Sequence, residues 1–236
     1  MKKTCLINQP AGLGDIFFLQ KFVDKKISEG FEVIFPTLPS LIYVKDYIKK
    51  DGLRFFSTDE DFPHKGFMGH HDIVKNENLE YYPFHIADRR IPGSCMEAKY
   101  TLVGEDYVGW QDHFSWTRIL EKENELYYNI LGLTDGEEYS LVSNVWGTPP
   151  TNNYREVPTS GKYKIVQVKM LDGFTPFDWS KVIEKAKEIS IVDTSFNYLI
   201  EKLHLSSENL YLTSRFTPPD FSHIINIFKK NWIYQN

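Results

Sequence analysis

Short apolar runs alternate with stretches of helical periodicity along the first half of this chain. The apolar centre of residues 4–8 predicts a buried strand, and apolar side chains recurring from Ile16 to Ile27 predict a helix over 15–29 that Gly30 ends. The same pattern predicts strands over 32–35, 53–56 and 79–86, a helix over 41–49 and a loop over 57–71.

The second half repeats this alternation after a longer helix. Apolar residues at helical spacing predict that helix over 116–131, where Gly132 ends it, as a connector between two lobes. Thr175 and Asp178 then form a capping box, with Pro176 at the first helical position. Strands are predicted over 139–143, 163–169, 189–192 and 210–213, and further helices over 196–203 and 221–232.

Repeated strand–helix–strand units of this kind are typical of parallel sheets that helices cover on both faces. Two such blocks predict an α/β protein with two Rossmann-like lobes, of which the second is reduced in size. We place the first lobe at residues 1–135, ending in the connector helix, and the second lobe at residues 136–236.

The composition narrows the range of partners. Of the 236 residues, 42% are hydrophobic, and the net charge is −5 with no basic stripe, which argues against nucleic acid as a partner. Only two cysteines occur, Cys5 and Cys95, so no disulfide framework is needed and a reducing compartment is the default. No apolar run approaches the roughly 18–20 residues of a membrane span. We therefore expect a cytoplasmic protein without a transmembrane segment, of undetermined oligomeric state.

The first predicted strand passes into a helix through the turn Gly12-Leu13-Gly14-Asp15. Such a corner presents backbone amides at the carboxyl edge of a sheet, so Gly12 and Gly14 are candidates for contact with a nucleotide or diphosphate. A dinucleotide fingerprint requires a third glycine where Phe17 stands, and no G-x-x-x-x-G-K-[ST] loop occurs. Nicotinamide enzymes and phosphate-loop NTPases are therefore disfavoured. Asp15 is either a helix-capping acid or a general base for a hydroxyl acceptor.

A second strand-to-helix corner, Asp193-Thr194-Ser195, offers complementary chemistry. Its hydroxyls and the first amides of the helix can cradle a diphosphate, although plain helix capping explains the same residues. Lys169 can neutralise a diphosphate or serve as an ordinary surface lysine. The loop after the strand over 139–143 is a third candidate, or simply a loop that needs a glycine; its residues are Ser143, Asn144, Gly147 and Thr148.

Two further clusters have ordinary interpretations. The run Gly69-His70-His71-Asp72 suggests a metal, but adjacent histidines do not match the spaced pairs of metal sites, so no metal is expected. The aromatic stretch over 106–118 can supply a platform for a sugar ring, although core packing is the commoner use of such residues.

Taken together, the two corners resemble those of GT-B-fold glycosyltransferases, in particular the ADP-heptose:lipopolysaccharide heptosyltransferases of glycosyltransferase family 9. That family carries a G-x-G-D or M-G-D turn near the N-terminus and a D-T-G-x-x-H element in the second lobe. The resemblance covers the two corners and the alternating layout around them, whereas residues 57–107 match nothing in it.

The resemblance implies a role for each corner. Asp15 matches the catalytic base, and Asp193, Thr194 and Ser195 match the turn that holds the donor's diphosphate, which the loop over 143–148 also contacts. Donor binding in the family is metal-independent, so neither a metal nor another cofactor is implied.

The chain departs from the family pattern at two positions, because Ser195 replaces the motif glycine and Tyr198 the motif histidine. The implied function is transfer of a sugar, with inversion, from a nucleotide-diphosphate donor to a hydroxyl of a glycan acceptor. The alternatives are a non-catalytic nucleotide- or sugar-binding protein and another two-lobed α/β enzyme, such as a nucleotide-sugar epimerase.

Overall fold

The computed structural model describes residues 3–91, 95–147 and 153–235, and the chain forms two compact units. The first unit comprises Met1–Thr117 and Ser222–Ile227, and the second comprises Arg118–Phe221 and Phe228–Asn236. The connector helix, which the sequence pattern assigned to the first lobe, therefore belongs to the second unit.

The first unit is built on a five-stranded sheet with the order β3-β2-β1-β5-β4. Its strands are β1 (Thr4–Ile7), β2 (Glu32–Thr37), β3 (Leu53–Ser57), β4 (Val74–Lys75) and β5 (Leu79–Tyr82). All neighbours are parallel except the pair β4 and β5. The chain runs outward from β1 through β2 to β3 and then returns to β5 on the other side of β1, so the strand order reverses at β1.

Short helices and helical turns connect and cover these strands. The α-helices are α1 (Leu13–Phe18), α2 (Gln20–Ser28), α3 (Val44–Tyr47), α4 (Ala87–Arg90), α5 (Cys95–Val103) and α6 (Trp110–His113). Three 3₁₀ turns lie at Pro39–Leu41, Lys65–Gly69 and Phe84–Ile86. The predicted helix over 15–29 is thus two helices separated at Leu19, and the predicted strand over 79–86 ends at Tyr82.

Aromatic packing fixes the helices that follow β5 against the first helix. The rings of Phe17 and Phe114 stack with centroids 4.3 Å apart, and the Tyr100 hydroxyl donates a hydrogen bond to the Phe18 carbonyl at 2.8 Å. Tyr100 and Phe114 are almost fully buried. The aromatic residues Trp110 and Phe114 of the stretch over 106–118 therefore belong to the core, and helix α5 is held beside the corner that follows β1.

The second unit has its own five-stranded parallel sheet, with the order β12-β11-β10-β6-β9. Its strands are β6 (Tyr139–Ser143), β9 (Lys164–Gln167), β10 (Glu188–Val192), β11 (Asn209–Thr213) and β12 (Trp232–Gln235); β7 (Val145–Trp146) and β8 (Asn153–Tyr154) form a separate antiparallel pair. The strands β6 and β10 are buried throughout. The chain passes from β6 to β9 on one side and resumes at β10 on the other, so the strand order reverses between β6 and β10.

The helices of the second unit are short. They are α7 (Leu120–Asn124), which continues as a π-helical turn over Glu125–Ile130, α8 (Ser180–Lys185), which follows a 3₁₀ turn at Pro176–Trp179, and α9 (Phe196–Lys202). The capping box predicted from Thr175 and Asp178 is present, and Pro176 occupies the first helical position. The connector helix begins at Leu120 rather than at residue 116.

The helix predicted over 221–232 is wrong. The Ile227 carbonyl instead accepts hydrogen bonds from the side chains of Trp110 and Gln111, both at 2.9 Å, which ties this segment to the first unit. Downstream, the Glu201 carboxylate accepts from the Lys229 amide at 2.9 Å and from the Trp232 indole at 2.8 Å. These side chains satisfy backbone groups that a helix would have paired internally, and the chain continues as strand β12.

Candidate functional site

The first candidate site lies at the carboxyl edge of the first unit's sheet, where the strand order reverses between β1 and β5. Open α/β sheets bind ligands at such positions. Strand β1 leads through Asn8, Gln9 and Gly12 into α1, and Asp15 lies in the first turn of that helix. The side chain of Asp15 is 23% exposed, so its carboxylate remains accessible from solvent.

A buried lysine holds the Asp15 carboxylate. Lys99 Nζ lies 3.0 Å from Asp15 Oδ1 and donates to Gln9 Oε1 at 3.0 Å and to the Phe84 carbonyl at 3.5 Å. The side chain of Lys99 is only 6% exposed. Gln9 in turn donates to the Ala11 carbonyl at 2.7 Å. Residues from the corner after β1, the turn after β5 and helix α5 therefore fix the position of one carboxylate oxygen.

Gly12 lies in close contact with the other oxygen of Asp15. Its φ of +87° is in the region that favours glycine, and a Cβ added there would meet Asp15 Oδ2 at 2.0 Å. Glycine is therefore required at position 12 for two reasons: the backbone conformation favours it, and the Asp15 carboxylate folds back over it. Gly14 lies inside helix α1 and is only partly exposed.

A hydrogen-bonded network around Asn8 completes this edge. Asn8 Nδ2 donates to the Met68 carbonyl at 2.9 Å and to the Tyr81 hydroxyl at 2.8 Å, and that hydroxyl donates to the His70 carbonyl at 2.6 Å. The Asn8 carbonyl accepts from the His85 backbone amide at 3.0 Å. The segment around Lys65–Gly69, predicted as loop, is thus attached to the end of β1.

The second candidate site is at the carboxyl edge of the other sheet, where β6 and β10 end side by side. Ser143 pairs with Ile191 across these strands, which brings Asn144 next to the end of β10. Asn144 Oδ1 accepts from Gln167 at 2.8 Å. Asp193 is nearly buried and lies 3.4 Å from the guanidinium Nε of Arg215. Ser143, Asn144 and Asp193 are therefore brought together at this edge.

The corner after β10 is shaped mainly by hydrogen bonds to its own backbone. Asn197 Oδ1 accepts from the Thr194 amide at 3.1 Å, and Thr194 Oγ1 accepts from the Phe196 amide at 3.3 Å. Among the residues that the structure describes, Asn197 Nδ2 is buried without a hydrogen-bond partner. Thr194 and Ser195 are partly exposed. The Thr194 hydroxyl thus accepts a hydrogen bond from the first amide of α9, whereas the side chain of Ser195, the N-cap residue, makes no capping hydrogen bond.

The remaining candidates of the second unit differ in how well they are placed. Lys169 is exposed and follows β9, the strand beside β6, so it lies at the same sheet edge. Gly147 follows β7 with a φ of +123°. Thr148 lies outside the described residues. Tyr198, at the position of the motif histidine, is buried with its ring 5.1 Å from that of Phe228.

The histidine run does not gather a metal site. Within the described residues, no three histidine, cysteine, aspartate or glutamate side chains come together as metal ligands. His70 instead packs against Phe67, and His71 lies 6.0 Å from His85 between ring centroids.

Sequence reasoning missed the groups that hold Asp15. Lys99 lies in a helix with a weak amphipathic pattern, inside the region where the resemblance fails, and Gln9 reads as an ordinary loop residue. The sequence feature that could have indicated Gln9 is its position directly after the first strand, because residues that follow central strands line this edge of the sheet.

Comparison with known proteins rests on structure, since no protein-family profile and no curated protein matches the sequence. A glycosyl transferase family 9 protein from Veillonella parvula DSM 2008 superimposes with a TM-score of 0.53 at 10% identity, covering 99% of this chain and 85% of that one. The chain has the fold of the family 9 glycosyltransferases. The predicted resemblance to this family is thereby confirmed for the fold.

TibC of enterotoxigenic E. coli H10407, an iron-containing dodecameric glycosyltransferase, is also similar. Its structure superimposes with a TM-score of 0.47, and its complex with ADP-D-beta-D-heptose with a TM-score of 0.51, both at 9% identity. This chain spans 64% of the length of TibC. Among the described helices, none has both the length and the apolar character needed to cross a bilayer.

Proposed function

We propose that this chain is an inverting, metal-independent glycosyltransferase that moves a sugar from a nucleotide-diphosphate donor to a hydroxyl of a glycan acceptor. The observation that carries the proposal is the Asp15 carboxylate, held by buried Lys99 at the edge where the first sheet reverses its strand order. The fold shared with family 9 glycosyltransferases supports it.

Asp15 acts as the general base in the proposed reaction. As it removes the proton of the acceptor hydroxyl, the oxygen attacks the anomeric carbon on the face opposite the diphosphate. The new carbon–oxygen bond forms while the bond to the diphosphate breaks, and the diphosphate leaves with the electron pair. Because the attack comes from the opposite face, the configuration at the anomeric carbon inverts.

The second unit binds the donor in this proposal. Lys169 and the hydroxyls of Thr194 and Ser195 meet the charge of the leaving diphosphate, with Asn144 and Gly147 contributed by the loop after β6. Asn144, Lys169 and Thr194 follow β6, β9 and β10, which pair side by side in one parallel sheet. We expect a chelator to leave the activity unchanged, which separates this reaction from one that requires a divalent ion.

Donor binding is tested first, by thermal unfolding with ADP, UDP, GDP and their sugar conjugates, including ADP-heptose. A ligand present at a hundred times its Kd stabilises the folded state by about 2.7 kcal/mol, so the melting temperature rises. Replacement of Thr194 and Ser195 by alanine should reduce that rise. If no nucleotide or nucleotide sugar raises the melting temperature, the proposal fails at the donor.

Catalysis is tested with Asp15→Asn, using the donor that binds and a panel of saccharide acceptors. Loss of a general base lowers turnover by about 10²–10⁴-fold, whereas the donor-induced rise in melting temperature should be retained. Asp61→Asn, an exposed aspartate of the same unit, is the matched control and should behave as the wild type. Donor binding without transfer by the wild-type chain would favour the non-catalytic alternative, which the buried tyrosine at position 198 leaves open.

A further inference from the structure

The His85 side chain is clamped at the edge that carries Asp15. Its ring Nδ1 lies 3.2 Å from the Asn8 carbonyl oxygen, the same oxygen that accepts the His85 backbone amide at 3.0 Å. The Asn8 side chain is itself fixed by Met68 and Tyr81. The backbone amide and the ring Nδ1 of His85 therefore both face one buried acceptor, the Asn8 carbonyl oxygen.

This contact determines the tautomer of the ring. A carbonyl oxygen only accepts hydrogen bonds, so Nδ1 must carry the proton. In a neutral imidazole the other nitrogen, Nε2, then carries a lone pair and accepts hydrogen bonds. His85 is partly exposed, so the ring is not enclosed by the protein.

His85 belongs to the turn after β5, at the same sheet edge as the corner that carries Asp15. Lys99 Nζ contacts both Asp15 Oδ1, at 3.0 Å, and the carbonyl of Phe84, at 3.5 Å, and His85 is the next residue after Phe84. A hydroxyl that donates to Asp15 and a second hydroxyl one or two ring positions away on the same sugar are separated by a few ångströms.

We propose that His85 is a specificity residue of the acceptor site, whose Nε2 accepts a hydrogen bond from a sugar hydroxyl neighbouring the one that reacts. This proposal rests on the proposed function and assigns the chemistry of its acceptor side. The acceptor class is a sugar with at least two adjacent free hydroxyl groups.

The electrostatic surroundings keep the ring in the accepting form at neutral pH. Burial lowers the pKa of His85, the bond to the Asn8 carbonyl opposes this shift, and the charges of His71, Arg89 and Lys99 reinforce it. These charged groups come from the segment before β4, from α4 and from α5. The protonated ring, which would lack an acceptor nitrogen, is therefore disfavoured.

The tautomer is measured without any assay of activity. Long-range ¹H–¹⁵N correlation spectra of the ¹⁵N-histidine-labelled chain at pH 8 distinguish a protonated Nδ1 from a protonated Nε2. The assignment of the His85 signals comes from their absence in His85→Asn. We expect the Nδ1–H form, and a spectrum showing the Nε2–H form overturns the inference.

Two substitutions then separate the two nitrogens. His85→Asn places an amide donor near the Nδ1 position and nothing near Nε2, whereas His85→Gln extends a carbonyl toward the Nε2 position. Binding is measured by saturation-transfer difference spectra with methyl pyranosides of glucose, galactose and mannose. We expect binding of at least one of these sugars to weaken about tenfold in His85→Asn, the loss of one hydrogen bond, and less in His85→Gln.

His64→Asn is the control, because His64 is exposed and its backbone is in the left-handed region, which asparagine tolerates. This variant should bind the sugars as the wild type does. Thermal unfolding checks that each variant is folded. If His85→Asn is not folded, His85→Gln is compared with the wild type: weaker sugar binding supports the proposal, and equal or tighter binding contradicts it. Absence of binding by the wild type, or equal binding by folded His85→Asn, overturns the inference. Because the tautomer and sugar binding are read without a donor, they fail or hold independently of catalysis by Asp15.

Discussion

Each unit is built on a five-stranded sheet, but the two sheets differ in strand order and carry different chemistry at the edge where the strand order reverses. In the first unit a carboxylate and an ammonium, Asp15 and Lys99, form a pair that is complete within the protein. In the second unit the edge carries the short hydroxyl and amide side chains of Thr194, Ser195 and Asn144 beside the pair of Asp193 and Arg215.

This difference teaches how each edge is suited to its proposed task. A general base must be held in one geometry before the substrate arrives, because a displacement of about 1 Å lowers the rate substantially. A diphosphate site is completed by the anion itself, so hydroxyls and amides can stay loosely satisfied until it binds. Under the proposed function, the first edge is organised in advance and the second is completed by its ligand.

Among the tests of this contrast, the largest expected effect comes from Lys99→Met, which removes the cation that holds Asp15. Two acceptors, Gln9 Oε1 and the Phe84 carbonyl, lose their donor at the same time. We expect the free energy of unfolding to fall by about 2–4 kcal/mol. This is slightly less than the cost of breaking a fully buried ion pair, because Asp15 is partly exposed. Turnover should fall by about a hundredfold through misplacement of the carboxylate.

Chemical denaturation and a transfer assay measure the two effects, and Lys45→Met, an exposed lysine of α3, is the control. The control should stay within about 0.5 kcal/mol of the wild type. If Lys99→Met retained full turnover, the first edge would not depend on a preformed pair, and the contrast between the units would fail.

A smaller effect is expected from Gly12→Ala, for which the chain offers a matched control. Gly12 and Gly30 both have a φ of +87°, but a Cβ at Gly12 meets Asp15 Oδ2 at 2.0 Å, whereas nothing lies within 4 Å of one at Gly30. Each alanine should cost about 1–2 kcal/mol of stability through backbone strain. Only Gly12→Ala should also lower turnover, by roughly tenfold, because the carboxylate must move.

Melting temperatures and kcat measured side by side separate strain from displacement of the base. Equal turnover in the two alanine variants would show that the position of Asp15 over Gly12 has no catalytic consequence.

Much of the alternation of strands and helices could be predicted from sequence, because it depends on local periodicity and capping. The capping box at Thr175 and the buried strand β10 are examples. The helix predicted over 221–232 failed because its backbone is satisfied by distant side chains, Trp110 and Glu201, whose proximity no local pattern records.

The candidate site divides in the same way. Asp15 and the corner after β10 follow strands directly, so their placement at sheet edges could be predicted. Lys99 could not, because it lies 84 positions after Asp15, in a helix that the sequence analysis did not predict, and only the tertiary fold brings its ammonium to the carboxylate. The side chain that holds the proposed base is thus the part of the site that could not be predicted from sequence.

The smallest expected effect compares two buried threonines that end strands at the two edges. Thr37 ends β2 in the first unit and Thr213 ends β11 in the second, and each has a buried hydroxyl oxygen with no hydrogen-bond partner in the part of the chain that the structure describes. Replacing such a group by an apolar one of the same shape is nearly neutral or stabilising, so each valine variant should change the unfolding free energy by less than about 1 kcal/mol.

Ligand binding distinguishes the two threonines. The Thr213 carbonyl accepts the Asp193 amide at 3.0 Å, so Thr213 adjoins the proposed donor corner, while Thr37 belongs to the edge that is organised in advance. If a donor completes the second edge, the rise in melting temperature caused by the best nucleoside diphosphate should shrink in Thr213→Val and stay unchanged in Thr37→Val. An equal rise in both variants would mean that this hydroxyl takes no part in completing the site, and that the second edge is organised by fewer groups than its buried polar atoms suggest.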